Sequence, residues 1–222
     1  MAGIDAYTKL LLHLDNNIDD SELTQKTVTN NNVTFSDTVK KWGYSGVFNG
    51  ANAYLSIPDS TDFDFNLSTS YTIEYWIYPN AVESGTVLHG RPGGSTYDGG
   101  ENYGIIGGGG SLVWGSINGQ WNSGNTVSSG SWQHIAFVYD AVSKIAYCFV
   151  NGVGVSVSVS TVGNSSGTLY FGKKFNAPYD FNGYMDEIRF SKGIARWTSN
   201  FTTPIEPYSL DSKPRNQVLI IA

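Results

Sequence analysis

Residues 132–160 constrain the fold more than any other stretch of the chain. "WQHIAFVYD" and "KIAYCFV" are apolar runs of strand length joined across Asp140-Ala141-Val142-Ser143. Asn151-Gly152 then supplies the residues that tolerate the positive φ of a tight hairpin turn. Beyond it Val153, Val155, Val157 and Val159 alternate with Gly154, Ser156, Ser158 and Ser160, a period of two that predicts valine inward and serine outward. A three-stranded antiparallel meander is expected here.

Strand signals recur at "TKLLLHL" (8–14), "SGVFNG" (45–50), "AYLSIP" (53–58), "SYTIEYWIYP" (70–79), "TLYFG" (168–172) and "GYMDEIRF" (183–190), and no stretch sustains helical periodicity. In residues 70–79 the alternation puts Tyr71, Ile73, Tyr75 and Ile77 on one face and Thr72, Glu74, Trp76 and Tyr78 on the other. Many short strands punctuated by Gly, Asn and Ser predict an all-β sandwich or barrel. No Pro-rich or charged linker divides the chain, so residues 1–190 read as one domain and 191–222 as a C-terminal extension. Ile194, Trp197 and Phe201 equip that extension to pack on the sandwich. Its apolar end, "QVLIIA", suits either an extra edge strand or docking to a neighbour.

Charged residues make up 14% of the 222, against roughly 25% in an average domain, so Ser, Thr, Asn and Gly carry the polarity. The net charge of −6 argues against a nucleic-acid partner, which would require a basic patch. The single cysteine, Cys148, has no internal disulfide partner and falls in a predicted strand. The N-terminus shows no basic region of a secretory signal, and no apolar run approaches the roughly 18 residues of a membrane helix.

Enzyme signatures are missing. His13, His89 and His134 are far apart, with no short metal-ligand spacing, and there is no G-x-S-x-G elbow. The run "DSTDFDF" (59–65) lacks the glycine and terminal glutamate of an EF-hand loop, and reads as a connection whose Phe63 and Phe65 cap the core. Asp186 and Glu187 are adjacent, so strand alternation sends them to opposite faces and they cannot serve as a glycosidase pair. A non-catalytic protein is expected.

Taken in order, "LLLHLD", "GVFNGANAYLSIPDS", "YTIEYWIYP", "WQHIAFVYD", "AYCFVNG", "LYFGK" and "FNGYMDEIRFSKGIAR" resemble the concanavalin A-like lectin/glucanase superfamily, specifically its laminin-G-like jelly rolls, over about residues 8–196. The resemblance implies two antiparallel sheets, one of them concave. It also implies a structural calcium ion on the convex side, with Asp186 as a ligand, Gly50 offering a carbonyl and Asp15 a further oxygen. The Glu-x-Asp-x-x-Glu signature of the superfamily's glucanases does not occur here. "MAGIDAYTKLLLHLDN" and "ARWTSNFTTPIEPY" resemble laminin-G-like proteins of tailed bacteriophages, which implies a virion protein of the tail or capsid surface, homo-oligomeric in the particle and assembled in a bacterial cytoplasm.

The glycine-rich stretch 89–125 is the expected ligand site. Arg91, Tyr97, Asp98, Glu101, Asn102, Tyr103, Trp114, Asn118 and Trp121 combine aromatic faces with planar polar groups, the chemistry that holds a sugar. Tyr179 is a weaker candidate. Two functional classes follow, a lectin-like module binding host-surface glycans or a structural virion component, with a polysaccharide-binding adhesin or glycoside hydrolase-derived module as a third. Exposure of Trp114 or Trp121 would favour the first.

Overall fold

In the computed structural model, which describes residues 4–22, 24–91, 101–173 and 180–209 (backbone alone at 101–103), period-two alternation organises the whole chain. The strands, in order, are β1 (Thr8–Leu12), β2 (Thr29–Asn31), β3 (Thr34–Ser36), β4 (Ser45–Asn49), β5 (Tyr54–Ile57), β6 (Tyr71–Pro79), β7 (Thr86–Arg91) and β8 (Glu101–Ile106). They continue with β9 (Ser111–Gly115), β10 (Gln120–Thr126), β11 (Gln133–Asp140), β12 (Ile145–Val150), β13 (Val153–Ser158), β14 (Leu169–Phe171) and β15 (Asn182–Lys192). One sheet runs β13-β12-β11-β6-β15-β4-β3, with β1 also on β15; the other runs β10-β9-β8-β7-β14-β5-β2. Both are antiparallel, and they stack as the predicted sandwich.

The inward residues of β6 (Tyr71, Ile73, Tyr75 and Ile77) meet Ile135, Phe137 and Tyr139 of β11, Met185, Ile188 and Phe190 of β15, and Leu55, Leu112, Trp114 and Phe171 of the second sheet. This is one continuous core, built as the alternation predicts. Phe63 and Phe65 are buried in it, as expected of the 59–65 run. The meander forms as predicted, with Asn151 at φ 50° and Gly152 at φ 77° in its turn. One detail differs: Val153 and Val155 are exposed, because β13 is the free edge of its sheet.

The glycine-rich stretch runs through four strands, β7–β10, of the seven in the second sheet. Some of its glycines, Gly104 among them, sit where strands pack too closely for a side chain, whereas Gly108, Gly109, Gly119 and Gly124 face open space. A Cβ on Gly104 would lie 2.6 Å from His89 Cε1 and 2.8 Å from Phe137 Cε2. His89 is itself in the core, with Nδ1 2.8 Å from the Tyr75 hydroxyl, and burial pushes its pKa down to about 3, so the ring is neutral.

Past β15 the chain turns back over the outer face of the first sheet. Trp197 and Phe201 stack with centroids 4.0 Å apart and cover Ala136, Val138 and Phe149. The Arg196 guanidinium forks onto Asp5 at 3.1 and 3.0 Å, tying this segment to the N-terminus.

Candidate functional site

Most of the described residues in the predicted ligand set are committed to the fold. Arg91 is buried; its guanidinium donates to Phe63 O at 2.6 Å and Gly167 O at 3.1 Å, and it also bonds Asp59 and Asp64. It therefore pins two loops and has no face for a ligand. Trp114 is fully buried, edge-on to Tyr71 and Phe137, and Trp121 packs beside it at the core's margin. Asn118 is exposed, but its Nδ2 donates to Ser158 O at 2.9 Å and its Oδ1 accepts from Ser160 N at 2.9 Å, which locks one turn to another. Glu101, Asn102 and Tyr103 lie on β8, while Tyr97, Asp98 and Tyr179 lie outside the described residues.

Of the residues expected to hold calcium, Asp186 and Asp15 both bond the 41–44 loop, while Gly50 lies apart. Asp186 is buried, and its Oδ2 accepts from Lys41 N at 3.2 Å and Trp42 N at 3.1 Å. Asp15 Oδ1 accepts from Tyr44 N at 2.7 Å. Gly50 follows the Asn49–Asn182 pair, four residues of β15 from Asp186, or about 13 Å at ~3.3 Å per residue. Calcium takes six to eight oxygens, and among the described residues no group of three or more His, Cys, Asp or Glu could hold a metal. This donor set does not fit the ion. Backbone amides of the 41–44 loop bond one oxygen of each carboxylate, Asp186 Oδ2 and Asp15 Oδ1. Burial pushes the Asp186 carboxyl up to about 8, and the nearby Glu187 and Asp15 charges add to the rise against the two N–H bonds.

The expected alternation of Asp186 and Glu187 fails because of a β-bulge. Pairing to β6 jumps from Asp186–Trp76 to Arg189–Glu74, and Glu187 takes a left-handed φ of 51°. Its carboxylate then meets His13 Nδ1 at 2.6 Å and the Tyr208 N–H at 2.8 Å. The Glu187 bond raises the His13 pKa.

Next along the same outer face lies Glu74, wholly buried. Arg189 Nε and Nη2 approach its Oε1 at 2.7 and 2.6 Å, His134 Nε2 lies 3.2 Å from Oε2, and the Tyr208 hydroxyl donates to it. Burial alone would raise this carboxyl, but the Arg189 charge and these bonds outweigh it and hold the pKa at about 2. The cluster closes the C-terminal segment onto the sheet, beside a cavity of about 260 Å³ lined by Arg189, Arg196, Trp197 and Tyr208 among others.

The C-terminal segment and the 41–44 loop leave one row of this face open. Register places Tyr78 of β6 opposite Tyr184 of β15, which stands opposite Val47 of β4. Trp132, just before β11, completes the row: its ring is 5.8 Å from Tyr78, which is 5.7 Å from Tyr184, both edge-on. All three rings are half-exposed. Above them stand exposed amides, with Asn80 Nδ2 donating to Asn182 Oδ1 at 2.9 Å. Below them Trp42 packs edge-on to Trp76 at 5.7 Å, and Lys41 Nζ lies 3.8 Å over the Trp76 ring. Gly183 makes the row possible, since a Cβ there would lie 2.3 Å from the Tyr78 carbonyl. The outward set of β6 already contained Trp76 and Tyr78. What the sequence lacked was the register that brings Tyr184 and Trp132 beside them.

The architecture is thus a two-sheet jelly roll with an open aromatic row on one outer face. A laminin G family model, of the concanavalin A-like lectin/glucanases superfamily, matches residues 49–196, and the chain belongs to that superfamily. Among solved structures it is similar to domain 4 of AbnA, a GH43 extracellular arabinanase from Geobacillus stearothermophilus, solved with arabinotriose. There the TM-score is 0.65 at 19% identity, over 88% of this chain and 95% of that one. It is also similar to the binding domain of Paraclostridial Mosquitocidal Protein 1 (TM-score 0.67, 17% identity, 85% of this chain, 49% of that one). A third is the botulinum neurotoxin D/C binding domain (TM-score 0.62, 12% identity, 83% and 48%). The chain thus spans about half the length of the two toxin domains. At these identities the likeness establishes the fold. A search of curated proteins returns no match.

Proposed function

We propose that the protein is a non-catalytic, carbohydrate-binding virion component, with Trp132, Tyr78 and Tyr184 as the platform on which a saccharide stacks. The observation that carries this reading is the row itself: three half-exposed rings side by side, rimmed by the Asn80 and Asn182 amides. Aromatic faces take the apolar C–H side of a sugar, and amides bond its hydroxyls. That the solved relatives include a domain bound to arabinotriose supports the ligand class. The bacteriophage setting rests on the resemblance of "MAGIDAYTKLLLHLDN" and "ARWTSNFTTPIEPY" to tailed-phage proteins. In that setting the partners are host-surface glycans, other virion proteins and further copies of this chain.

Titration against arabinotriose and a panel of bacterial surface polysaccharides tests the reading. Tyr78→Ala, Tyr184→Ala and Trp132→Ala should each weaken binding by about tenfold or more, with melting temperatures close to wild type. Wild-type affinity for a glycan that survives all three substitutions would overturn it, as would silence across the whole panel.

A further inference from the structure

One cation stands beside the open aromatic row. Lys41 reaches over the outer face from the loop that precedes β4, and its ammonium lies 3.8 Å over the Trp76 ring and 5.3 Å from that of Trp42. Trp76 and Tyr78 are successive outward residues of β6, so the ammonium lies one pleat from the row, about 7 Å along the strand at ~3.4 Å per residue. The loop backbone is fixed, because Lys41 N and Trp42 N both donate to Asp186 Oδ2. The Lys41 side chain is half-exposed, and among the described residues its Nζ has no hydrogen bond and no ion pair. Asp186 is the carboxyl that acts on it, and burial pushes that group up to about 8, so it keeps its proton at neutral pH. Loss of water lowers the Lys41 pKa more than Asp186 raises it. The charge is therefore unanswered, and Trp132, Tyr78, Tyr184, Asn80 and Asn182 bring no charge of their own.

A saccharide stacked on Tyr78 spreads its ring substituents over the sheet, and one directed along β6 toward Trp76 meets the ammonium. A hydroxyl there would accept one N–H bond and leave the charge uncompensated, whereas a carboxylate supplies both the acceptor and the counter-charge. We propose that the row selects acidic saccharides, with Lys41 as the specificity-determining residue that pairs the sugar carboxylate. The inference rests on the row being the saccharide platform. Cation–π contact with Trp76 already positions the ammonium, so less side-chain freedom is lost when the carboxylate arrives. A chain of net charge −6 repels polyanions through its overall field, so a preference for the acidic form points to a local cation.

Calorimetric titration with oligomers of galacturonate, hyaluronate and polysialate, each beside its methyl ester, tests this. At least one acid should bind about tenfold more tightly than its ester, the size of one charge-assisted hydrogen bond, and added salt should erode only that difference. Lys41→Gln should bring the acid down to the affinity of the ester and leave the ester unchanged. Tyr78→Ala should weaken both. Equal binding of acid and ester, or wild-type affinity of Lys41→Gln for the acid, overturns the role of Lys41 and leaves the platform standing. Silence toward both forms of every saccharide counts against the platform and takes this inference with it. Acid binding that survives Tyr78→Ala overturns the placement of the anion beside the row. Lys41→Gln keeps the backbone N–H that bonds Asp186, and its unchanged affinity for the ester reports an intact fold.

Discussion

Two regions concentrate the aromatic side chains, and they use them in opposite ways. In residues 86–126 Trp114 is fully buried and Trp121 packs against the core. Across β11, β6 and β15, Trp132, Tyr78 and Tyr184 stand half-exposed in a row. Composition does not separate the two. In the first region glycines let strands approach until His89 and Phe137 fill the space beside Gly104. In the second, long strands paired on both edges send alternate rings outward, where only a loop and the C-terminal segment could cover them. Accessible aromatics are therefore found by register, and glycine beside an aromatic is equally the mark of close packing.

Paired tryptophan substitutions strain that contrast most. Trp114→Ala should cost about 3–5 kcal/mol, the usual penalty for emptying a large aromatic from a core, and should lower the urea midpoint sharply. Trp132→Ala, at the surface, should cost under about 1 kcal/mol yet remove glycan binding. Equal destabilisation by the two changes would erase the distinction between the regions.

The covered half of the first sheet's outer face can be set against its open row through Glu74. Glu74→Gln removes the carboxylate that faces the buried Arg189 guanidinium, a loss of about 3 kcal/mol at neutral pH. The acid side gives an independent reading. A carboxyl held at about 2 in the folded chain and near 4.5 when unfolded contributes stability that is complete above pH ~4.5 and disappears as pH falls toward 2. Denaturant midpoints of the wild type should drop across that window because of this group, and the Glu74→Gln profile should lack that component. Tyr184→Ala, in the open row, should leave the profile unchanged.

The sandwich was legible because its evidence is local: alternation in residues 70–79, the Asn151-Gly152 turn and the valine run each announce a strand. β7–β10 were hidden because glycines punctuate them and because glycine, which marks turns, marks close packing at Gly104; β2 and β3, at three residues each, are too short to show a period. The site was legible only in part. Trp76 and Tyr78 could be placed on an outward face from β6 alone. Tyr184 joins them through pairing between residues 106 positions apart, since 184 − 78 = 106. Asp186 was singled out correctly as unusual, but its partners are backbone amides of residues 41 and 42, and a backbone amide leaves no trace in side-chain identity.

A last test addresses Asp186, where amides bond the carboxyl expected to ligate calcium. A carboxyl raised to about 8 when folded, against 3.8 unfolded, keeps its proton in the native chain while the unfolded chain releases it. The native state then binds more protons between those values, so this group's contribution to stability should decline from pH ~4 to ~8, by at most about 1.4 kcal/mol per unit, and level off above. Asp186→Asn keeps an oxygen for the Lys41 and Trp42 N–H groups but carries no proton to lose, so its stability should not show that decline. Calcium chloride and EDTA should leave both melting curves in place. A calcium-dependent rise in the wild type that vanishes in Asp186→Asn would reverse the assignment, making the amide-bound carboxyl a metal ligand and the 41–44 loop a segment displaced when the ion enters.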